Sequence, residues 1–176
     1  MVKEERILVR NMKTNNLIIR EAMVEDADEI RILAKQVMGE VIFFSKEPEE
    51  FKVTIEQEEE YIRKTSLILV VEIDGKIVGC ATLQKGGSAR TKHVALFGIT
   101  ILKEYTGLKL GSLLMKKVIE WAEKNEVEKI ELEVFAENIP AIKLYEKFGF
   151  VVEGRKVKSI KVKDRYIDML LLGKFI

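Results

Sequence analysis

The sequence predicts one α/β domain: a mixed, mostly antiparallel seven-stranded sheet flanked by about four helices. Three observations predict it. Early apolar runs are joined by hairpin signals, late strands alternate with helical periods, and 176 residues suffice for one full core but not for two typical domains. The expected organisation is a polar leader over residues 1–14 and a single domain over 15–176.

The elements follow in order. Leu17-Ile-Ile-Arg20 makes a short first strand. Glu25-Asp26 then opens a helical period, with Ala27, Ile30, Leu33, Ala34, Val37 and Met38 on one side and Gly39 as its stop. Residues 40–55 show no period and carry Phe43, Phe44 and Phe51, a segment suited to lining a pocket; residues 56–64 turn helical again. Leu67–Ile73 and Lys76–Leu83 are strands joined by Asp74-Gly75, the strongest short hairpin signal. A second hairpin through Gly86-Gly87-Ser88 returns a strand from about His93 to Leu102. The next helix sets Leu110, Leu113, Leu114, Val118, Trp121 and Ala122 at helical spacing over about four turns. Ile130–Phe135 is a strand, 138–148 a short helix, and 150–162 and 165–172 close the chain as two β-like runs.

Composition narrows the function. Thirty basic and 29 acidic side chains leave a net charge of +1, without the overall footprint of a duplex nucleic-acid or anionic-membrane binder. A single cysteine excludes an internal disulfide framework and fits a reducing cytoplasm. No apolar run reaches the ~20 residues a membrane helix needs, so the expectation is a cytoplasmic protein with no membrane and no nucleic-acid partner. The densest charge run, Glu56-Gln-Glu-Glu-Glu60, reads as the solvated side of a helix. Cys80 reads as a small buried hydrophobe, His93 stands without companions for a metal site, and no metal is expected.

Two segments carry chemistry. From Tyr105 to Gly111 a strand delivers the chain to a glycine-containing turn that opens a helix, so unpaired N–H groups and the positive end of the helix dipole converge. Lys109 adds a formal charge, and Gly107 and Gly111 let the backbone approach a phosphate. Two glycines before a helix are also ordinary turn chemistry, and neither a Walker loop nor a dinucleotide fingerprint is present. The second segment, Glu131 to Phe150, joins an acidic strand to a capped helix. Asn138 is its N-cap, Pro140 falls in its first turn, and Gly149 stands where a left-handed residue is wanted. Tyr145 lies on or beside the buried face of that helix, with its oxygen free to reach a cleft.

The second segment resembles the GCN5-related N-acetyltransferase (GNAT) family, whose pattern of Asn, Ala, a Leu/Tyr pair and a closing Gly-Phe is met by Asn138, Ala141, Leu144, Tyr145, Gly149 and Phe150. The first segment departs from that family: its usual Arg or Gln and first Gly are Thr106 and Lys109, while Gly111 fits. The resemblance runs from the first strand to Asp168, and within the family it is most similar to ribosomal-protein N-terminal acetyltransferases.

The resemblance implies acetyl-coenzyme A in a splayed gap between the central strands, one ending near Leu102 and the other near Phe135. It implies N–H groups of Thr106, Gly107, Leu108, Lys109, Leu110, Gly111 and Ser112 around the pyrophosphate, Asn138 on the pantetheine arm or an ordered water, and Ala141 also at the cofactor. Backbone groups of Ile99, Thr100 and Ile101 would hold the thioester carbonyl, Tyr145 would protonate the departing sulfur, and Glu133 would be the base, with Glu104 or water in reserve. The implied reaction is direct acetyl transfer to a primary amine, on a small molecule or a peptide, in a ternary complex. A non-catalytic acyl-coenzyme A sensor is the alternative. Residues 40–65 and 153–168 are expected to shape the acceptor pocket, Asp164 and Asp168 could select a cationic amine, and an exposed C-terminal edge strand would permit a homodimer.

Overall fold

β-Branched and leucine-rich runs build most of the sheet, and the turns between them set its order. The computed structural model describes residues 5–6 and 16–176. The expected leader, residues 1–14, lies outside the described residues apart from Glu5–Arg6, which form β1. The strands that follow are β2 (Leu17–Glu21), β3 (Leu67–Ile73), β4 (Lys76–Lys85), β5 (Val94–Ile101), β6 (Lys129–Phe135), β7 (Val151–Val162) and β8 (Arg165–Phe175). The helices are α1 (Ala27–Glu40), α2 (Ile55–Lys64), α3 (Leu110–Lys124) and α4 (Ile139–Lys147). The sheet runs β1-β2-β3-β4-β5-β6-β8-β7. The seven predicted strands are β2–β8, and β1 adds a two-residue bridge to the outer edge of β2.

Every described pairing is antiparallel except β5 with β6. That parallel pair joins only Val94 to Lys129, Ala95 to Ile130 and Leu96 to Glu131. Beyond it β5 stays on β4 as far as Ile101, and β6 stays on β8 as far as Phe135. Each strand is held by its outer neighbour, so the two diverge and a wedge opens in mid-sheet. This is the splay that the resemblance implies.

Core burial follows the predicted stripes in the main. Helix α1 buries Ala27, Ile30, Leu33 and Val37, while Ala34 and Met38 are half-buried. It runs through Gly39 to Glu40 and stops at Val41, whose extended backbone (φ −140°) leaves the helix while its N–H still bonds the Val37 carbonyl. Gly39 therefore does not cap it. Helix α2 starts at a capping box, in which the Thr54 hydroxyl accepts the Gln57 N–H and Gln57 returns to the Thr54 N–H. Its acidic run is not wholly solvated: Glu58 is only 8% exposed. Helical spacing puts Glu58 on the stripe of Ile55 and Ile62, and Ile62 packs against the core.

Candidate active site

The wedge exposes backbone that strand pairing would otherwise use. The Leu102 N–H bonds Val78 across the β4 side, so alternation turns the N–H groups of Thr100 and Gly98 toward β4 and those of Ile99 and Ile101 into the gap. Past β5 the chain makes a single tight turn over Lys103–Tyr105, and the Thr106 hydroxyl donates to the Lys103 carbonyl at 2.7 Å. Gly107 (φ +80°) and Lys109 (φ +63°) then both take left-handed backbone. That reversal aims the start of α3 back at the wedge. Among the described residues, the N–H groups of 107–112 have no acceptor; the Leu113 N–H, bonded to the Lys109 carbonyl at 3.1 Å, closes the first turn. An oligophosphate fits such a cradle.

Gly111 has a packing role as well. A Cβ there would come within 2.9 Å of Leu144 Cδ2, so glycine lets α3 and α4 lie against each other at the mouth of the wedge. Helix α4 is bounded as the sequence predicts. Asn138 Oδ1 accepts the Ala141 N–H at 3.3 Å, Pro140 lies in the first turn, and Gly149 (φ +84°) lets the Phe150 N–H turn back to the Tyr145 carbonyl.

Tyr145 is buried between Phe97 and Phe150, with ring centroids 6.2 Å and 5.9 Å away. Burial pushes its phenol up to about 12, so it stays protonated at neutral pH. The hydroxyl has no hydrogen-bond partner among the described residues, yet it is not sealed from solvent. It opens on a cavity of about 590 Å³. That cavity gathers Ile99, Thr100, Ile101, Thr106, Gly107, Lys109, Leu110, Gly111, Ser112, Asn138, Ala141 and Tyr145 on one surface.

Leu108 and Glu133 are not on that wall. Leu108 packs toward the core, although its N–H belongs to the cradle. Glu133 is exposed, with its carboxylate on Lys156 Nζ at 2.6 Å. Strand register still places it with respect to the wedge. Leu96 pairs with Glu131, so alternation puts Glu131, Glu133 and Phe135 on one face of the sheet and Phe97, with Tyr145 stacked on it, on the other. Glu104, the reserve base, is exposed beside Lys76 (3.7 Å) and also off the wall. Val37, Val41, Phe43, Phe44 and Lys103 line the cavity as well. The aperiodic stretch 40–55, with its exposed-looking aromatics, signals the loop residues, whereas no sequence pattern singles out Lys103.

Cys80 is buried, and desolvation, then the nearby Glu58 charge, pushes its thiol up to about 12. It packs as a small hydrophobe. No group of three or more metal-ligating side chains is found among the described residues, and none of their helices is long and apolar enough to cross a membrane.

Residues 30–150 match the sequence profile of the Acetyltransferase (GNAT) family. The chain belongs to this family. As a GNAT protein it is an acetyl-coenzyme A-dependent N-acyltransferase in class. It is 37% identical over 107 residues to the L-amino acid N-acetyltransferase AaaT of Escherichia coli (strain K12), a match covering 60% of this chain and 66% of that one, just under two thirds. It is 29% identical over 160 residues to an N-alpha-acetyltransferase of Sulfurisphaera tokodaii, covering 84% of each. Among solved structures, a GNAT acetyltransferase from Streptococcus pneumoniae superposes with a TM-score of 0.87 at 32% identity, covering 91% of this chain and 99% of that one. A Salmonella typhimurium GNAT-fold protein, yncA, solved with acetyl-coenzyme A, shares the fold at a TM-score of 0.82 and 16% identity, over 92% and 94% of the chains.

Proposed function

We propose that this GNAT protein transfers acetyl directly from acetyl-coenzyme A to a primary amine, with both substrates bound at once. The observation that carries the reading is the arrangement at the wedge: an open phenol on one face, a carboxylate on the other, and two inward N–H groups between them. The cradle at 107–112 would hold the pyrophosphate through main-chain N–H groups, and Asn138 and Ala141 would flank the pantetheine arm.

Each group has a distinct task. The inward N–H groups of Ile99 and Ile101 stabilise negative charge on the thioester oxygen as the amine attacks. Tyr145 donates a hydrogen bond to the departing sulfur. An ordinary thiol near 8.5 is a stronger acid than a phenol held at about 12, so the tyrosine proton is shared in the transition state rather than given up early. Glu133 takes the amine proton from the opposite face through water, since its side chain stands off the cavity wall. The ion pair with Lys156 is half-exposed and so is worth at most about 1 kcal/mol, too little to hold the carboxylate out of use.

Thiol release from acetyl-coenzyme A in the presence of an amine panel tests the reading, alongside thermal shift with the coenzyme alone. A hundredfold excess over Kd should add about 2.7 kcal/mol of stability. Replacing Tyr145 by Phe should keep that shift and lower kcat about 100-fold. Unchanged turnover would remove Tyr145 from the chemistry, and a shift without thiol release from any amine would leave a binding protein.

A further inference from the structure

A second cavity, also about 590 Å³, adjoins the first and shares Val41, Phe43, Phe44 and Lys103 with it. Its walls come from the end of α1 at Met38, Gly39 and Glu40, from the 41–49 loop and, through Val162 and Lys163, from the β7–β8 turn. The loop is fixed there by packing: Phe43 sits edge-on to Phe135, 5.8 Å between centroids, beside Ile160 and Val162. Phe135 is on the Glu133 face of the sheet. This second cavity therefore opens on the face from which the amine would approach.

Charge distinguishes the two cavities. The first has Lys103 and Lys109 on its wall and no carboxylate. Lys109 belongs to the 107–112 cradle, which leaves Lys103 as the other cation on this wall and the one shared with the second cavity. Its ammonium has no partner among the described residues; the Glu40 carboxylate accepts the Lys103 backbone N–H at 2.8 Å through Oε2 and a Gln36 side-chain N–H at 2.9 Å through Oε1. The second cavity sets Lys46, Lys103 and Lys163 against Glu40, Glu47 and Glu49 on its wall. Three carboxylates against three ammonium groups leave the second cavity without net charge, whereas the wall of the first carries ammonium groups alone. An amine whose carboxylate lies one carbon away would meet Lys103 at that point.

We propose that Lys103 reads a carboxylate on the acceptor, and that the acceptor is a small primary amine of the free α-amino acid class. The apolar wall of Val41, Phe43 and Phe44 then receives an uncharged side chain. The assignment rests on the acetyltransferase reading above.

The test compares three matched acceptors by thiol release: neutral L-amino acids, their α-carboxamides, which also stand in for peptide N-termini, and the corresponding decarboxylated monoamines. The free acids should exceed the carboxamides in kcat/KM by about tenfold or more, mainly through KM. In Lys103→Met that ratio should fall to near one, and Lys103→Arg should retain most of it. The backbone bond to Glu40 persists in both variants, so folding is preserved. Carboxamides or monoamines used as well as the acids, or a ratio untouched in Lys103→Met, would overturn the proposal. Failure of every amine while acetyl-coenzyme A still raises Tm would overturn the acetyltransferase reading itself, and the acceptor assignment with it.

Discussion

The ring of Phe97 meets the ring of Tyr145 nearly at a right angle, centroids 6.2 Å apart and planes at 86°. Phe97 is the first residue of β5 beyond its last pair with β6, so the strand that opens the wedge also supplies the stop against which the phenol rests. Edge-to-face contact favours this geometry by about 0.5–1.5 kcal/mol beyond the area buried. A double-mutant cycle with Phe97→Leu and Tyr145→Leu, read by denaturant unfolding, should return a coupling in that range. Phe97→Ala should cost about 3–5 kcal/mol and also lower kcat, because the phenol loses its stop. A coupling near zero would mean that the two rings merely share a core.

Glu133 and Tyr145 flank the wedge from opposite faces, so their removal should have separable signatures. Glu133→Gln should lower kcat about 100-fold while leaving Tm nearly unchanged, since among the described residues the bond lost is the half-exposed one to Lys156. Thiol-release kinetics with a single good acceptor decide it. Full activity in Glu133→Gln would assign the amine proton to Glu104 or to water.

Lys109 occupies a left-handed position where glycine is the usual choice, at a cost of about 1–2 kcal/mol. Lys109→Gly should therefore raise the Tm of the free protein. The same change should weaken acetyl-coenzyme A binding several-fold at low ionic strength and flatten its dependence on salt, because a cation beside the pyrophosphate has been removed. Thermal melts without ligand and titrations at two salt concentrations measure both effects. Unchanged affinity at low salt would show that the main-chain N–H groups suffice.

Glu58 carries a pH-dependent penalty. Desolvation raises its carboxyl above the ordinary 4.5, opposed by the more distant charge of Arg31, which is itself held by Asp28 at 2.5 Å. The folded state therefore binds this proton more tightly than the unfolded chain. Stability from the group is full below 4.5 and is lost as pH rises through the higher folded value. Glu58→Gln should be the more stable protein at pH 7, by about 1 kcal/mol, with the advantage vanishing near pH 4. Urea unfolding at the two pH values tests the sign.

Much of the fold is legible in the chain because local rules and tertiary demands agree. Asp74-Gly75 makes the turn it predicts, Asn138 and Gly149 bound α4, and the β5-turn-α3 passage reverses where two positive-φ residues stand. Glu58 departs because periodicity marks a stripe and not its depth. Gly39 departs because the helix continues through it to Glu40 and the extended backbone of Val41 ends it instead.

By itself the sequence determined the strand and helix order, the bounds of α4, the glycine turn that opens α3 and the family, since each depends on residues close together along the chain. Only the tertiary structure decided which of those residues share a cavity. The β5–β6 register decided that Tyr145 and Glu133 stand on opposite faces of the sheet beside the gap, and the meeting of the 41–49 loop with the β7–β8 turn built a second cavity with Lys103 on its wall. Those relationships join residues tens of positions apart, and their physical cause is the loss of pairing between two strands, each held by its outer neighbour, which no local pattern encodes.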